Sequence, residues 1–120
     1  MNKIVIHLED DYVVRASFKL AFSKFSNYIL KQFETPSLVE KELYKKAHVI
    51  ISDYDMQNET ALEMLKYLYD NDLKTKVIMY SGNEENYKII KDKKLDKNII
   101  FWANKSMPVS NIINMINNLK

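Results

Sequence analysis

Cysteine is absent from the chain, which excludes disulfides, thiol catalysis and cysteine-based zinc sites and fits a reducing, cytoplasmic compartment. No apolar stretch approaches the length of a membrane span, and Met1-Asn2-Lys3 runs straight into a strand-like segment with no signal-peptide pattern. Arginine occurs once, at Arg15, so 17 of the 18 basic residues are lysines. A nucleic-acid reader more usually carries arginine. Charge of one sign is also lacking, since the net charge is only +2. Lys88, Lys91, Lys93, Lys94 and Lys97 crowd one segment, read here as a solvated face. Glycine appears once, as Gly82, and no repeat, linker or low-complexity tract interrupts the 120 residues. That length suits one domain with one proper core.

What is present is an alternation of short apolar runs with segments of helical period. Ile4–Leu8 reads as a buried strand, followed by Val14, Phe18, Ala21 and Phe25 on one helical face. Tyr28–Phe33 alternates like a strand. Thr35-Pro36 supplies a cap and first-turn proline for a short helix through about Tyr44. Val49–Ser52 is apolar on both faces, as a central parallel strand should be. Ala61, Leu65 and Leu68 stripe a third helix, Val77–Tyr80 forms a fourth strand, and a more polar helix spans about Glu84–Lys91. Ile99–Trp102 is a fifth strand, and Pro108 opens a last helix marked by Val109, Ile112, Ile113, Ile116 and Leu119. Five βα units in strict alternation predict an α/β fold with a parallel sheet covered by helices on both faces.

The strand ends carry the chemistry. Glu9-Asp10-Asp11 follows the first strand, Asp53 the third, Ser81 the fourth, and Lys105 comes shortly after the fifth. In a parallel sheet these ends share one edge, so the residues converge on one pocket. Carboxylates gathered there repel by roughly 4 kcal/mol per pair at 4 Å and an effective dielectric near 20. A hard divalent cation neutralises such an all-oxygen site, and few carboxylates plus several waters favour magnesium over calcium. Each residue also has a plain structural explanation. The acids after the first strand suit a helix N-terminus, Asp11 best of all. Ser81 with Glu84 makes a Ser-x-x-Glu capping box, and Lys105 is one lysine among many. Asp53 is the hardest to explain structurally, because an acid ending a buried central strand needs partners.

Three segments together resemble the receiver domain of two-component response regulators, and the likeness runs along the whole chain: Leu8-Glu9-Asp10-Asp11-Tyr12-Val13-Val14-Arg15, Ile51-Ser52-Asp53-Tyr54-Asp55-Met56 and Tyr80-Ser81-Gly82, with Lys105 after them. The resemblance implies a flavodoxin-like (βα)5 fold, a five-stranded parallel sheet in the order 2-1-3-4-5, over residues 1–120. It implies that Asp53 accepts a phosphoryl group from a sensor histidine kinase or a histidine phosphotransfer protein. Mg2+ would be held by Asp10 and Asp53 directly, by Glu9 through water, and by the backbone carbonyl of Asp55. Ser81 and Lys105 would stabilise the phosphoryl oxygens, and Trp102 would take the place of the family's switch aromatic. The face made by the fourth helix, fifth strand and fifth helix would meet a downstream protein. The family implies a cytoplasmic signalling switch that catalyses only its own phosphorylation and dephosphorylation, as a monomer or a phosphorylation-dependent homodimer. No nucleic acid or membrane contact is implied, and the output domain, if any, lies outside this sequence.

The sequence departs from the family at three places. Gln57 stands where proline usually follows methionine, and Ala61 where a glycine is expected. Ser106 follows Lys105 where the family has a proline with a cis peptide. A cis bond before a non-proline residue costs about 2.5–4 kcal/mol. The expectation is therefore either a trans bond with Lys105 approaching differently, or a strained cis bond. Two rival functions follow. One is a receiver-like binding module that works without phosphorylation. The other is a phosphohydrolase of the haloacid dehalogenase type, suggested by Asp53-x-Asp55, although that motif normally opens its chain and wants Thr or Val at the position of Gln57.

Overall fold

The computed structural model describes residues 2–119. Its elements are β1 (Lys3–Leu8), α1 (Tyr12–Phe22), β2 (Tyr28–Phe33), a 3-10 turn (Pro36–Leu38), α2 (Lys41–Lys46), β3 (Ala47–Ser52), β4 (Asp55–Met56), β5 (Glu59–Thr60), α3 (Leu62–Asp70), β6 (Lys76–Tyr80), α4 (Glu85–Asp92), β7 (Ile99–Ala103) and α5 (Val109–Asn117). The main sheet has the order β2-β1-β3-β6-β7, every pair parallel. Numbering only these five strands gives 2-1-3-4-5, the order that the resemblance implies.

Period-two alternation in the central strands divides the core between the two faces of the sheet. Ile6 and Leu8 of β1, Ile50 of β3, and Val77 and Met79 of β6 pack on Tyr44 of α2, Met64, Leu65 and Leu68 of α3, and Ile90 of α4. Val5, Val49, Ile51, Ile78 and Tyr80 point the other way, onto Phe18 and Phe22 of α1 and Ile112, Ile113 and Ile116 of α5. Both faces are thus sealed, which is why the middle strands read as unbroken apolar runs.

The scarcity of glycine leaves its mark at the helix ends. Asp72 (φ 50°) and Lys94 (φ 59°) take the left-handed turns that close α3 and α4. In each case the next leucine amide bonds back into the helix, Leu73 to Leu68 O at 2.9 Å and Leu95 to Ile90 O at 3.1 Å. Both leucines then pack on the core, the hydrophobic closure usual at such C-termini. A third left-handed residue, Gln57 (φ 55°), turns the β4–β5 hairpin.

Two local expectations change, and one element was not foreseen. The short helix after Thr35 is a 3-10 turn separated from α2 by Val39 and Glu40. Helix α1 ends at Phe22, so Phe25 packs from the following loop. The β4–β5 hairpin has no signature in hydrophobic period, because each strand is only two residues long.

Candidate functional site

The parallel ladder continues one residue past several strand ends, and this fixes the site. Glu9 N–H donates to Phe33 O at 3.0 Å, Asp53 N–H to Leu8 O at 3.0 Å, and Ser81 N–H to Ala103 O at 3.0 Å. Glu9, Asp53 and Ser81 therefore sit on the carboxyl edge of the sheet with their main chains already committed. Asp11 caps α1, its Oδ1 accepting the Val13 amide at 2.8 Å. Of the three consecutive acids, Asp11 is the helix cap and the other two belong to the pocket.

Oxygens of Glu9, Asp10 and Asp53 all lie within 4.8 Å of one another. Lys105 Nζ stands 2.7 Å from Asp53 Oδ2 and 2.9 Å from Glu9 Oε1. The other Asp53 oxygen accepts the Tyr54 amide at 2.7 Å, Glu9 Oε2 accepts the Asp11 amide at 3.2 Å, and Asp10 Oδ2 accepts the Gln57 amide at 3.0 Å. Glu9 is fully buried. Burial, aided by the Asp53 charge, pushes its carboxyl up to about 7 against the pull of Lys105. Burial lowers the Lys105 ammonium, but its bonds to Asp53 and Glu9 outweigh that and hold it above the ordinary lysine value.

Three carboxyls facing one ammonium leave an excess of negative charge in a half-buried site. Such an oxygen-only cluster fits a hard divalent cation.

The peptide after Lys105 is trans, as are all the described peptide bonds, and Lys105 nevertheless reaches the acids. Asn104 makes this possible: its carbonyl accepts the Met107 amide at 2.9 Å and its Oδ1 the Ser106 amide at 2.9 Å, folding a tight turn. Ser81 is buried on the same edge, but no hydrogen bond among the described residues joins its hydroxyl to the acids. Nor does it cap α4. Glu84 occupies the cap position, and the Glu85 amide bonds Asn83 Oδ1 at 2.9 Å. Asp55 is exposed on the β4 strand of the hairpin.

Trp102 is half-buried, its ring 5.6 Å from that of Tyr87, with Nε1 buried and without a hydrogen-bond partner among the described residues. The two rings line a groove of about 400 Å³ with Glu84, Ile99, Ile100 and Phe101. This groove lies on the β7 edge and shares no residue with the acid cluster.

Sequence reasoning missed a belt of polar residues around the acids. Arg15 donates to the Glu9 carbonyl at 2.9 Å and pairs with Glu34 at 3.7 Å. Glu34 also accepts from the Gln57 side chain at 3.0 Å, so a chain of contacts runs from the Glu9 main chain to the residue holding Asp10. The only arginine in a lysine-rich chain was the available signal, because a planar fork suits two acceptors at once. Beneath Glu9, the His7 ring lies 4.0 Å from that of Phe18. Gln32 Nε2 donates to the Arg15 carbonyl at 2.8 Å and lies 3.0 Å from His7 Nδ1. The amide nitrogen is therefore the donor to both, which puts the imidazole proton on Nε2. Burial, with the Lys105 and Arg15 charges, lowers His7 to about 3.

No protein-family model matches the chain, and no curated protein sequence does. Solved structures do. The chain is similar to a CheY-like response regulator receiver domain protein from Methanospirillum hungatei, with a TM-score of 0.77, 16% identity, and 98% of this chain and 92% of that one covered. It is also similar to a DNA-binding response regulator of the LuxR family from Staphylococcus aureus, with a TM-score of 0.74, 21% identity, and 97% and 99% covered. A Francisella response regulator receiver domain gives a TM-score of 0.72 at 18% identity, with 97% and 94% covered. The fold of this chain is the flavodoxin-like fold of response-regulator receiver domains.

Proposed function

We propose that the chain is a phosphoacceptor module of a two-component phosphorelay and that Asp53 is its acceptor. The observation that carries this reading is the Asp53 carboxylate itself, ending a buried central strand, 2.7 Å from the Lys105 ammonium and clustered with Glu9 and Asp10. Asp53 Oδ1 and Oδ2 are oriented by the Tyr54 amide and the Lys105 ammonium respectively, so the carboxylate meets an incoming phosphorus in one fixed pose. In the transfer a carboxylate oxygen forms the new O–P bond. The N–P bond of a phosphohistidine breaks, and the imidazole leaves with that electron pair and takes up a proton. The product is an aspartyl phosphate. Lys105 sits where it can follow the charge onto the phosphoryl oxygens, and Ser81, on the same edge, supplies a hydroxyl donor.

Asp10 and Asp53 would hold magnesium directly, Glu9 through water, and Asp55 through its carbonyl. When bound, the ion neutralises the carboxylates and the transferring phosphoryl group. The donor would be a histidine kinase or a phosphotransfer protein. The groove of Tyr87 and Trp102, on the face of α4, β7 and α5, is the surface a downstream protein would read, with the chain acting as a switch and not as a turnover enzyme.

Intact-mass spectrometry after incubation with acetyl phosphate tests the reading. One magnesium-dependent phosphoryl group, labile to hydroxylamine and missing in Asp53→Asn, is the expected result. An unmodified wild-type mass with magnesium present would sink it, and continuous release of phosphate from simple esters would point instead to a phosphohydrolase.

A further inference from the structure

Two backbone carbonyls in the turn after β7 converge on one phenol. Tyr80 Oη lies 3.0 Å from Lys105 O and 2.9 Å from Met107 O. A phenol has a single proton to donate, so the two carbonyls share it. The ring is held hard. Tyr80 is 5% exposed, packs edge-on against Phe18 at 5.3 Å, and belongs to the core between the sheet, α1 and α5. Asn104 and Ser106, by contrast, are exposed.

The turn makes its own shape through the two Asn104 bonds described above, but those bonds are internal to it. They do not set where the turn sits against the sheet. Tyr80 ties it there by hydrogen bonds from the end of β6, one residue before Ser81, alongside the packing of Met107 on the same core. Lys105 Nζ must come within 2.9 Å of two different carboxylates. A flexible four-carbon stem does that at low entropic cost only if its main chain is fixed.

We propose that Tyr80 is a positioning residue whose hydroxyl anchors the 104–107 turn and so aims the Lys105 ammonium at Asp53 and Glu9. The consequence for phosphoryl uptake rests on the reading of Asp53 as acceptor. The placement of Lys105 does not.

Tyr80→Phe removes one oxygen and keeps the packed ring. The first readout is labelling of lysines by an amine-reactive acetylating ester, mapped by peptide mass. Lys105 is expected to be labelled several-fold faster in Tyr80→Phe, with the other lysines unchanged. Equal Lys105 labelling in both proteins would overturn the proposal. The second readout is the rate of magnesium-dependent uptake from acetyl phosphate, expected to fall about 5- to 10-fold, as for a misplaced reacting group. In a Lys105→Ala background the same substitution should cause no further loss, because the hydroxyl acts through the lysine. An equal loss in that background would show an independent structural role and overturn the proposal. Magnesium affinity, read by titration calorimetry, should not fall, because a loosened Lys105 competes less for Glu9 and Asp53, and a fall parallel to the loss of uptake would likewise overturn it. If the wild type takes no phosphoryl group, the acceptor reading fails, and the labelling still decides the clamp.

Discussion

The two ends of the sheet are built on opposite plans. At the carboxyl end, Glu9, Asp10, Asp53 and Lys105 share a half-buried pocket in which each charge depends on the others. At the amino end, Lys74 and Lys97 both meet Asp72 at 3.1 Å in the open. Asn98, buried there, is satisfied by the carbonyls of Leu73 at 2.8 Å and Thr75 at 2.9 Å. One end is a scaffold whose polar groups are mostly closed off or solvated, His48 Nε2 being the exception, buried with no hydrogen-bond partner among the described residues. The other keeps excess charge out of water, which a protein selected for stability alone has no reason to retain.

Removing charge from the carboxyl end should have the largest effect. Lys105→Ala leaves Asp53 and the buried Glu9 facing each other without a cation. At neutral pH without magnesium, stability should fall by roughly 2–4 kcal/mol in urea titrations, as when a buried pair loses one partner. An unshifted midpoint would mean the pocket is as well solvated as the far end.

His7, just beneath the acids, should give the edge a pH dependence of its own. Its folded pKa, lowered to about 3 by burial, lies below the unfolded value of 6.5. The unfolded chain therefore binds the extra proton first. The stability tied to a neutral His7 is complete above about pH 6.5 and is lost as pH falls toward 3, by about 3 kcal/mol at pH 4. In His7→Leu the acid limb of the stability curve should flatten, and an unchanged limb would assign acid unfolding to other groups.

Two substitutions probe the amino end. Asn98→Ala strips two half-buried carbonyls of their donor and should cost about 1–2 kcal/mol, yet leave magnesium affinity and phosphoryl uptake as in the wild type. A change in either would break the division between the ends. Lys94→Gly, at a left-handed position (φ 59°), should raise stability by roughly 0.5–1 kcal/mol, seen as a small rise in melting temperature with the function untouched.

Much of this was legible in the sequence, because strands buried on both faces advertise themselves as apolar runs. The parallel sheet, the position of Asp53, and the grouping of Glu9 and Asp10 with Lys105 all follow from runs such as Val49–Ser52 and from what stands at their ends, whereas the order of the strands came only from the resemblance to receiver domains. The β4–β5 hairpin and the split after Thr35 were hidden, since two- and three-residue elements are too short to show a period. The supporting contacts were hidden for another reason. Arg15 reaches Glu34, and Gln57 reaches Asp10, across long sequence separations set by the completed fold. The turn that carries Lys105 depends on Tyr80, a residue that reads from sequence as ordinary strand filling.

The β7 strand has a consequence of another kind. It ends the sheet with Ile99-Ile100-Phe101-Trp102-Ala103, a free edge without a charge or a proline, and Ile100 and Phe101 are exposed. Strands of that sort recruit other strands. The opposite margin, β2, carries Lys31 exposed in its middle, the usual deterrent to such recruitment. Two copies joined through β7 would present only β2 margins outward. Growth by this route would stop at a pair, without the hazard of a fibre.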